Sequence, residues 1–290
     1  MKVAKAILLV LLLLGVVYIG YPMWTWHRAI RLIEAGVNDI NHRNYDSAVT
    51  KLERAVRIQP DIPEGQNALG VVYLRLGRTN EAEECYHAAI RYNPSLIDAH
   101  LNLVRLYREQ KKYEACFEEL ETVLNYRPNN TRALYYRGLV YSDQGQYDEA
   151  MRWLKMVIEY DADYVPAWFA IGGIQFHLEN YNEAVTAYTK ATRIQPDDAM
   201  AHCYLGHAHF RLNRYKEAAA DYRRAIRVQP DEAMFYYSLG QTLLAMRDRE
   251  SALVECEKLK GLDRDLAEKL FQEIQTGENQ LTTPAPHFAG

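Results

Sequence analysis

Four side chains able to bind a metal or carry a proton fall within eight residues of one another: His202, Cys203, His207 and His209. Cys203 and His207 stand four apart, on one face of a helix, a spacing compatible with a metal. That reading needs a further ligand, for which His177 is the candidate. The competing reading makes all four packed or surface side chains of a helix stack, and the sequence favours it. The remaining chemistry-bearing residues are scattered. Cys85, Cys116, Cys203 and Cys256 form no CxxC pair, so neither a zinc ribbon nor a dense disulfide framework is implied. Asp161 and Asp163, and the pair Asp197–Asp198, fall where they would cap helix N-termini. Asn129-Asn130-Thr131 fits a glycosylation acceptor, which matters only in a glycosylating lumen.

No phosphate-cradling glycine loop, nucleophile elbow, His-Glu-x-x-His pair or EF-hand loop occurs. The chain is therefore expected not to be an enzyme and to carry no cofactor or metal. A net charge of −4 supplies no general attraction to phosphate backbones, so nucleic acid is not an expected partner.

The elements that must position these residues begin with a different material. Lys2 and Lys5 precede Ala6–Trp24, nineteen residues without a charge. A helix of that length nearly spans the ~30 Å hydrocarbon core of a bilayer, with Trp24 and Trp26 at headgroup level. The sequence predicts a single-pass transmembrane helix over 6–24. A cleaved signal peptide and a buried core helix are the alternatives, and Tyr18 to Tyr21 offer no good small-residue cleavage site. Basic residues on the two sides nearly balance (Lys2 and Lys5 against Arg28 and Arg31), so the side carrying the rest of the chain is undecided.

From Ala29 the sequence falls into seven rows of 34 residues ending at Leu266, without insertion or deletion. The eighth position reads Gly36, Gly70, Val104, Gly138, Gly172, Gly206 and Gly240; the twentieth reads Ala48, Ala82, Cys116, Ala150, Ala184, Ala218 and Ala252. Tyr45, Tyr113, Tyr147, Tyr181 and Tyr215 share the seventeenth position, and Pro60, Pro94, Pro128, Pro196 and Pro230 close five rows. Apolar residues at three- and four-residue steps, as in Leu69, Val72, Tyr73 and Leu76, mark helices with one buried face. Each row reads as two antiparallel helices whose backbones approach where glycine and alanine leave room. One such pair cannot bury its apolar face alone, so neighbours must stack.

These columns resemble the tetratricopeptide repeat, and Leu69-Gly70, Tyr73, Ala82, Tyr86, Ala89 and Pro94 of the second row match its pattern closely. The resemblance implies an all-α, right-handed α-solenoid of seven repeats (29–62, 63–96, 97–130, 131–164, 165–198, 199–232 and 233–266), and the uncharged run puts one N-terminal transmembrane helix before it. A capping helix over 267–276 and a disordered tail over 277–290 follow, and a short tail over 1–5 precedes. The family's tryptophan position holds Trp168 once, but His100 and His202 elsewhere. Ala162 and Arg264 replace the closing proline, so the fourth-to-fifth junction is expected to be bent or loose. Asp39 and Cys256 weaken the end rows.

In this family the first helices line a concave groove that binds peptides, and the second, fifth, ninth, twelfth and thirteenth positions point into it. The groove residues are then Asn67, Arg75, Arg105, Arg108, Arg132 and Tyr135 early, mixed with Asp98 and Glu109. Later come Phe169, Phe176, His177, Met200, His207, Phe210, Met234 and Tyr237. Phe176 and Phe210 are expected to be largely solvent-facing, since other columns already fill the core. The family's carboxylate clamp for chaperone C-termini is not expected, because Asn67 and Val71 stand where its Lys and Asn should be, although Asn102 and Arg132 match two of its positions. The function expected is a membrane-anchored scaffold that binds other proteins in this groove. A secreted or periplasmic binding protein, a self-associating structural scaffold, and an enzyme or metal protein resting on the histidine cluster are the alternatives.

Overall fold

The computed structural model describes residues 23–276. The expected membrane helix over 6–24 therefore lies outside the described residues except for Met23 and Trp24, as does the tail over 277–290. Among the described residues, no helix is long and apolar enough to cross a membrane. The chain is already helical at residue 23, six residues before the first row begins, and this helix, α1, runs to residue 41. Then follow α2 (Tyr45–Ile58), α3 (Pro63–Arg75), α4 (Thr79–Tyr92), α5 (Ile97–Glu109), α6 (Tyr113–Tyr126), α7 (Thr131–Asp143) and α8 (Tyr147–Tyr160). The rest are α9 (Val165–His177), α10 (Tyr181–Ile194), α11 (Ala199–Arg211), α12 (Tyr215–Val228), α13 (Ala233–Ala245), α14 (Arg249–Lys260) and α15 (Arg264–Thr276). From the second row onward every first helix starts on the first residue of its row. The chain is an all-α helical repeat, and it divides between Tyr136 and Arg137 into two compact units.

The crossing within each pair has a specific cause. A Cβ placed on Gly70 would lie 2.6 Å from Cε1 of Tyr86, and one on Gly172 would lie 2.6 Å from Cε1 of Tyr188. Gly36 meets Leu52, Gly138 meets Leu154, and Gly206 meets Tyr222 in the same way. The glycine thus makes room for the large residue at the twenty-fourth position, more than for the alanine column. Gly240 departs, because Cys256 is small there and Leu270 of α15 fills the space. All seven members of the Ala/Cys column, from Ala48 to Ala252, are fully buried. The capping helix begins at Arg264, three residues earlier than the row boundary suggested, with the Asp263 carboxylate accepting from the Leu266 N–H at 3.0 Å.

The repeats are joined by a contact the columns did not announce. The side chain at the fourth position donates to the carbonyl of the closing residue of the previous row. Gln66 reaches Pro60 O at 3.2 Å, His100 Nε2 reaches Pro94 O at 2.9 Å and His202 Nε2 reaches Pro196 O at 2.9 Å. Tyr236 OH reaches Pro230 O at 2.9 Å, and Trp168 Nε1 reaches Ala162 O at 2.8 Å. The expectation of a bent or loose junction at Ala162 is corrected by that last bond. Asp161, after α8, has φ −144° and ψ 92°, against −139° and 92° at Asn93, which precedes a proline. The turn is held by a carbonyl acceptor, which any residue supplies. Capping is also partly corrected: Asp198 accepts from Ala201 N at 3.0 Å, but Asp161 accepts from Asp163 N at 3.1 Å and caps no helix.

Within each row the first helix ends on a residue in the left-handed region: Arg43, Gly77, Lys111, Gly145, Glu179, Asn213 and Arg247, with φ between 58° and 75°. The next N–H then closes back on the helix, as Arg78 N does on Tyr73 O and Asn180 N on Gln175 O, at 2.8 and 2.9 Å. Only two of the seven are glycine, although a side chain in this region costs about 1–2 kcal/mol. Lys111→Gly and Glu179→Gly are therefore expected each to raise the unfolding free energy by about 0.5–1 kcal/mol, the strain relieved minus the added chain entropy. Denaturant unfolding of the two variants checks it, with Gly77→Glu losing a similar amount.

Candidate functional site

The fourteen residues assigned to the groove separate by position in the repeat. At the second and thirteenth positions Arg75, Arg132, His177 and Met200 are exposed, and Met234 is half-buried. At the fifth, ninth and twelfth positions Phe176, His207, Phe210 and Tyr237 are 5, 3, 3 and 2% exposed, so the expectation that Phe176 and Phe210 face solvent is corrected, and His207 and Tyr237 are buried with them. Asn67, Arg105, Arg108, Tyr135 and Phe169 are half-buried.

The physical reason is that the following repeat's first helix packs on these positions. Phe176 is packed with Leu205 and Ala208 of α11, and its ring meets Tyr181 edge-on at 5.3 Å. The Arg211 guanidinium lies 4.6 Å from the Tyr181 ring centroid and 5.7 Å from that of Phe176. Phe210 meets Tyr215 at 5.3 Å inside the core shared with α13. Tyr237 OH donates to Glu273 of α15 at 2.7 Å, and Gln241 donates to the same carboxylate at 3.1 Å, so the capping helix is held by a buried polar network. Phe169 lies between Tyr188 and Tyr204, at 5.8 and 5.7 Å.

The histidine cluster resolves into separate contacts. Cys203 Sγ and His207 Nε2 are 3.8 Å apart, with Ser238 Oγ 3.4 Å from the same nitrogen. Burial pushes the Cys203 thiol up to about 12 and His207 down to about 4, so near neutral pH both are uncharged. An unionised thiol is neither a good nucleophile nor a ready metal ligand. His177, the further ligand that a metal would need, is exposed and its ring lies 5.0 Å from that of Tyr147. His209 Nδ1 pairs with Asp221 at 2.7 Å, and His202 is occupied by the junction carbonyl. Among the described residues no three His, Cys, Asp or Glu side chains come together around one point.

In the unit ending at Tyr136, the first-helix face is polar. Asn102 donates to Asn67 at 2.9 Å, and Arg132 pairs with Asp98 at 2.7 Å. Arg75 of α3 and Arg105 and Glu109 of α5 surround a recess of about 140 Å³, lined also by Val71, Leu74 and the buried Tyr86. Neither Arg75 nor Arg105 forms an ion pair among the described residues.

Family models described as TPR repeat match residues 172–213 and 206–246, and models described as tetratricopeptide repeat match 107–173 and 63–96. The chain belongs to the tetratricopeptide repeat family. No curated protein sequence matches it. Solved structures do. A tetratricopeptide repeat protein from Parabacteroides merdae is 22% identical, with 86% of this chain and 99% of that one covered and a TM-score of 0.61. PilF of Pseudomonas aeruginosa is 20% identical over 76% of this chain and 99% of its own, with a TM-score of 0.63. YrrB, described as a TPR protein with an unusual peptide-binding site, is 20% identical over 66% and 99%, with a TM-score of 0.53. At these identities the likeness establishes the fold alone.

Two residues at the recess of this tetratricopeptide chain were not named as groove residues in the sequence reading. The recess around Arg75 is also lined by Val71 and Leu74, whose signal was available, since they hold the ninth and twelfth positions of the second row. The two residues at matching clamp positions are engaged within the chain, Asn102 with Asn67 and Arg132 with Asp98. The burial of the two phenylalanines has a measurable consequence. Phe176→Ala and Phe210→Ala are each expected to destabilise by about 3–5 kcal/mol, read as a lowered denaturation midpoint with unchanged slope.

Proposed function

We propose that this protein is a membrane-anchored interaction scaffold, binding a partner segment on the first-helix face of the unit that ends at Tyr136. Tetratricopeptide proteins act as protein–protein interaction scaffolds, and that level of function follows from the family. The finer reading is carried by one observation. Arg75 and Arg105, from successive repeats, flank one recess with apolar walls in Val71 and Leu74 and a single carboxylate, Glu109, and neither arginine has an ion-pair partner among the described residues. Arginine at a recess with apolar walls suits an acidic segment that also presents an apolar side chain. The aromatic positions further along the chain do not compete for this role, because Phe176, Phe210 and Tyr237 are spent on packing.

The anchor rests on the uncharged run from Ala6 to Trp24 and on the tryptophans at its end, Trp24 and Trp26 being 58 and 45% exposed. The helix that starts the described chain continues directly into the first repeat, so the scaffold would be held close to the bilayer.

The test is capture of partners by full-length protein under crosslinking, followed by the same capture with Arg75→Glu/Arg105→Glu. Both side chains reach solvent, so melting is expected to change little. Capture of the dominant partner is expected to fall at least tenfold, the equivalent of about 1.4 kcal/mol. A folded variant that retains every partner places binding on another face.

A further inference from the structure

The start of the described chain carries an aromatic and cationic cluster that the arginine recess of α3 and α5 does not use. Met23, Trp24 and Trp26 are 59, 58 and 45% exposed. The Arg28 guanidinium lies 5.3 Å from the Trp24 ring centroid, and Trp26 meets the His27 ring edge-on at 5.1 Å. Trp24, His27, Arg28, Arg31 and Leu32 of α1, with Arg54 of α2, line a recess of about 580 Å³. No carboxylate lines it, and none of its three arginines forms an ion pair among the described residues. Arg78, Arg132 and Arg152, by contrast, pair with Glu81, Asp98 and Glu149.

Three uncompensated guanidinium groups around one concavity make a site for a phosphate, because the guanidinium fork matches phosphate oxygens and stays charged at every physiological pH. The neighbours say which phosphate. Tryptophan is the side chain that settles where headgroups meet acyl chains, one edge apolar and the N–H wet. Here two exposed tryptophans and an exposed methionine adjoin the arginines, at the end of a nineteen-residue uncharged run. We propose that this recess seats the phosphate of an anionic phospholipid headgroup, with Arg28, Arg31 and Arg54 as its ligands and Trp24 and Trp26 at the headgroup–acyl boundary. The inference rests on the membrane-anchored reading and adds to it a lipid preference. It also gives α1 and α2 a fixed attitude to the bilayer, since the site draws on both helices of the first repeat.

The test uses full-length protein, wild type and Arg28→Gln/Arg31→Gln/Arg54→Gln, with thermal melting to show that the variant folds. Each is floated with vesicles of phosphatidylcholine alone, or of phosphatidylcholine mixed with phosphatidylglycerol. Lipid that remains bound after exchange into neutral detergent is then counted by mass spectrometry. Wild type is expected to float with both vesicles and to retain phosphatidylglycerol over phosphatidylcholine by roughly ten- to a hundredfold. The folded variant should still float but lose that preference. Flotation with both vesicles and retention at the bulk lipid ratio overturns the headgroup site while leaving the anchor standing. Flotation only with phosphatidylglycerol removes the anchor and keeps the site, and flotation with neither removes both. If millimolar inorganic phosphate abolishes the preference, the recess is a free-ion site and the lipid assignment is overturned.

Discussion

The structure depends on how closely the two helices of a repeat approach at the eighth position. Where that position is glycine, the backbone of the first helix lies against the side chain at the twenty-fourth position of the second, Leu52, Tyr86, Leu154, Tyr188 or Tyr222. These side chains are at most 1% exposed, so they have nowhere to move. Burying each is worth roughly 1.5–3 kcal/mol, and that burial requires a first helix with no Cβ at the crossing. The hydroxyls of Tyr86 and Tyr222 have no hydrogen-bond partner, and burial pushes both phenols well above their ordinary range. Filling the crossing evidently outweighs leaving a hydroxyl unsatisfied, a penalty of about 1–3 kcal/mol. Val104 departs from this: the first helix carries a side chain there, and it and Leu120 are both fully buried, although leucine also stands opposite Gly36 and Gly138.

Once the crossing fixes each pair, the fifth, ninth and twelfth positions are covered fully at Tyr237, His207, Phe176 and Phe210 and only in part at Asn67, Arg105 and Arg108, while the second and thirteenth are the more open. That division decides which residues are free for recognition. Aromatic side chains at the covered positions, such as Phe176 and Phe210, are committed to the stack, whereas Arg75 and Arg132 stand outside it. Cys203 and His207 are likewise spent on packing, uncharged and pressed against Ser238 and Tyr222. Of the residues that first suggested chemistry, His202, Cys203 and His207 are thus interior and His209 is half-buried, while His177 is exposed.

Much of this fold was legible because it repeats. A glycine, alanine and proline recurring at one interval locate helix starts to the residue, as Pro63, Ile97, Val165, Ala199 and Ala233 show. What was not legible shares a cause: it is done by the backbone, or by whichever neighbour covers a face. The left-handed turn residues vary freely from Arg43 to Asn213 because a backbone N–H to carbonyl bond closes each turn. The donors at the fourth position look unrelated as Gln66, His100, Trp168 and Tyr236, yet all reach the same carbonyl. Periodicity shows that Phe176 lies on the inner side of its helix. It does not show that Leu205 and Ala208 of the next repeat will cover that side.

The most direct measurement of the crossing constraint is a double-mutant cycle on Gly172 and Tyr188, with unfolding free energies for Gly172→Ala, Tyr188→Leu and the pair. The contact predicts that adding the methyl group alone is costly, since it would lie 2.6 Å from the ring. It also predicts that most of this cost disappears once the ring is removed, a coupling of about 1–3 kcal/mol. Costs that simply add would contradict the account, because the glycine would then be serving something other than the side chain packed against it.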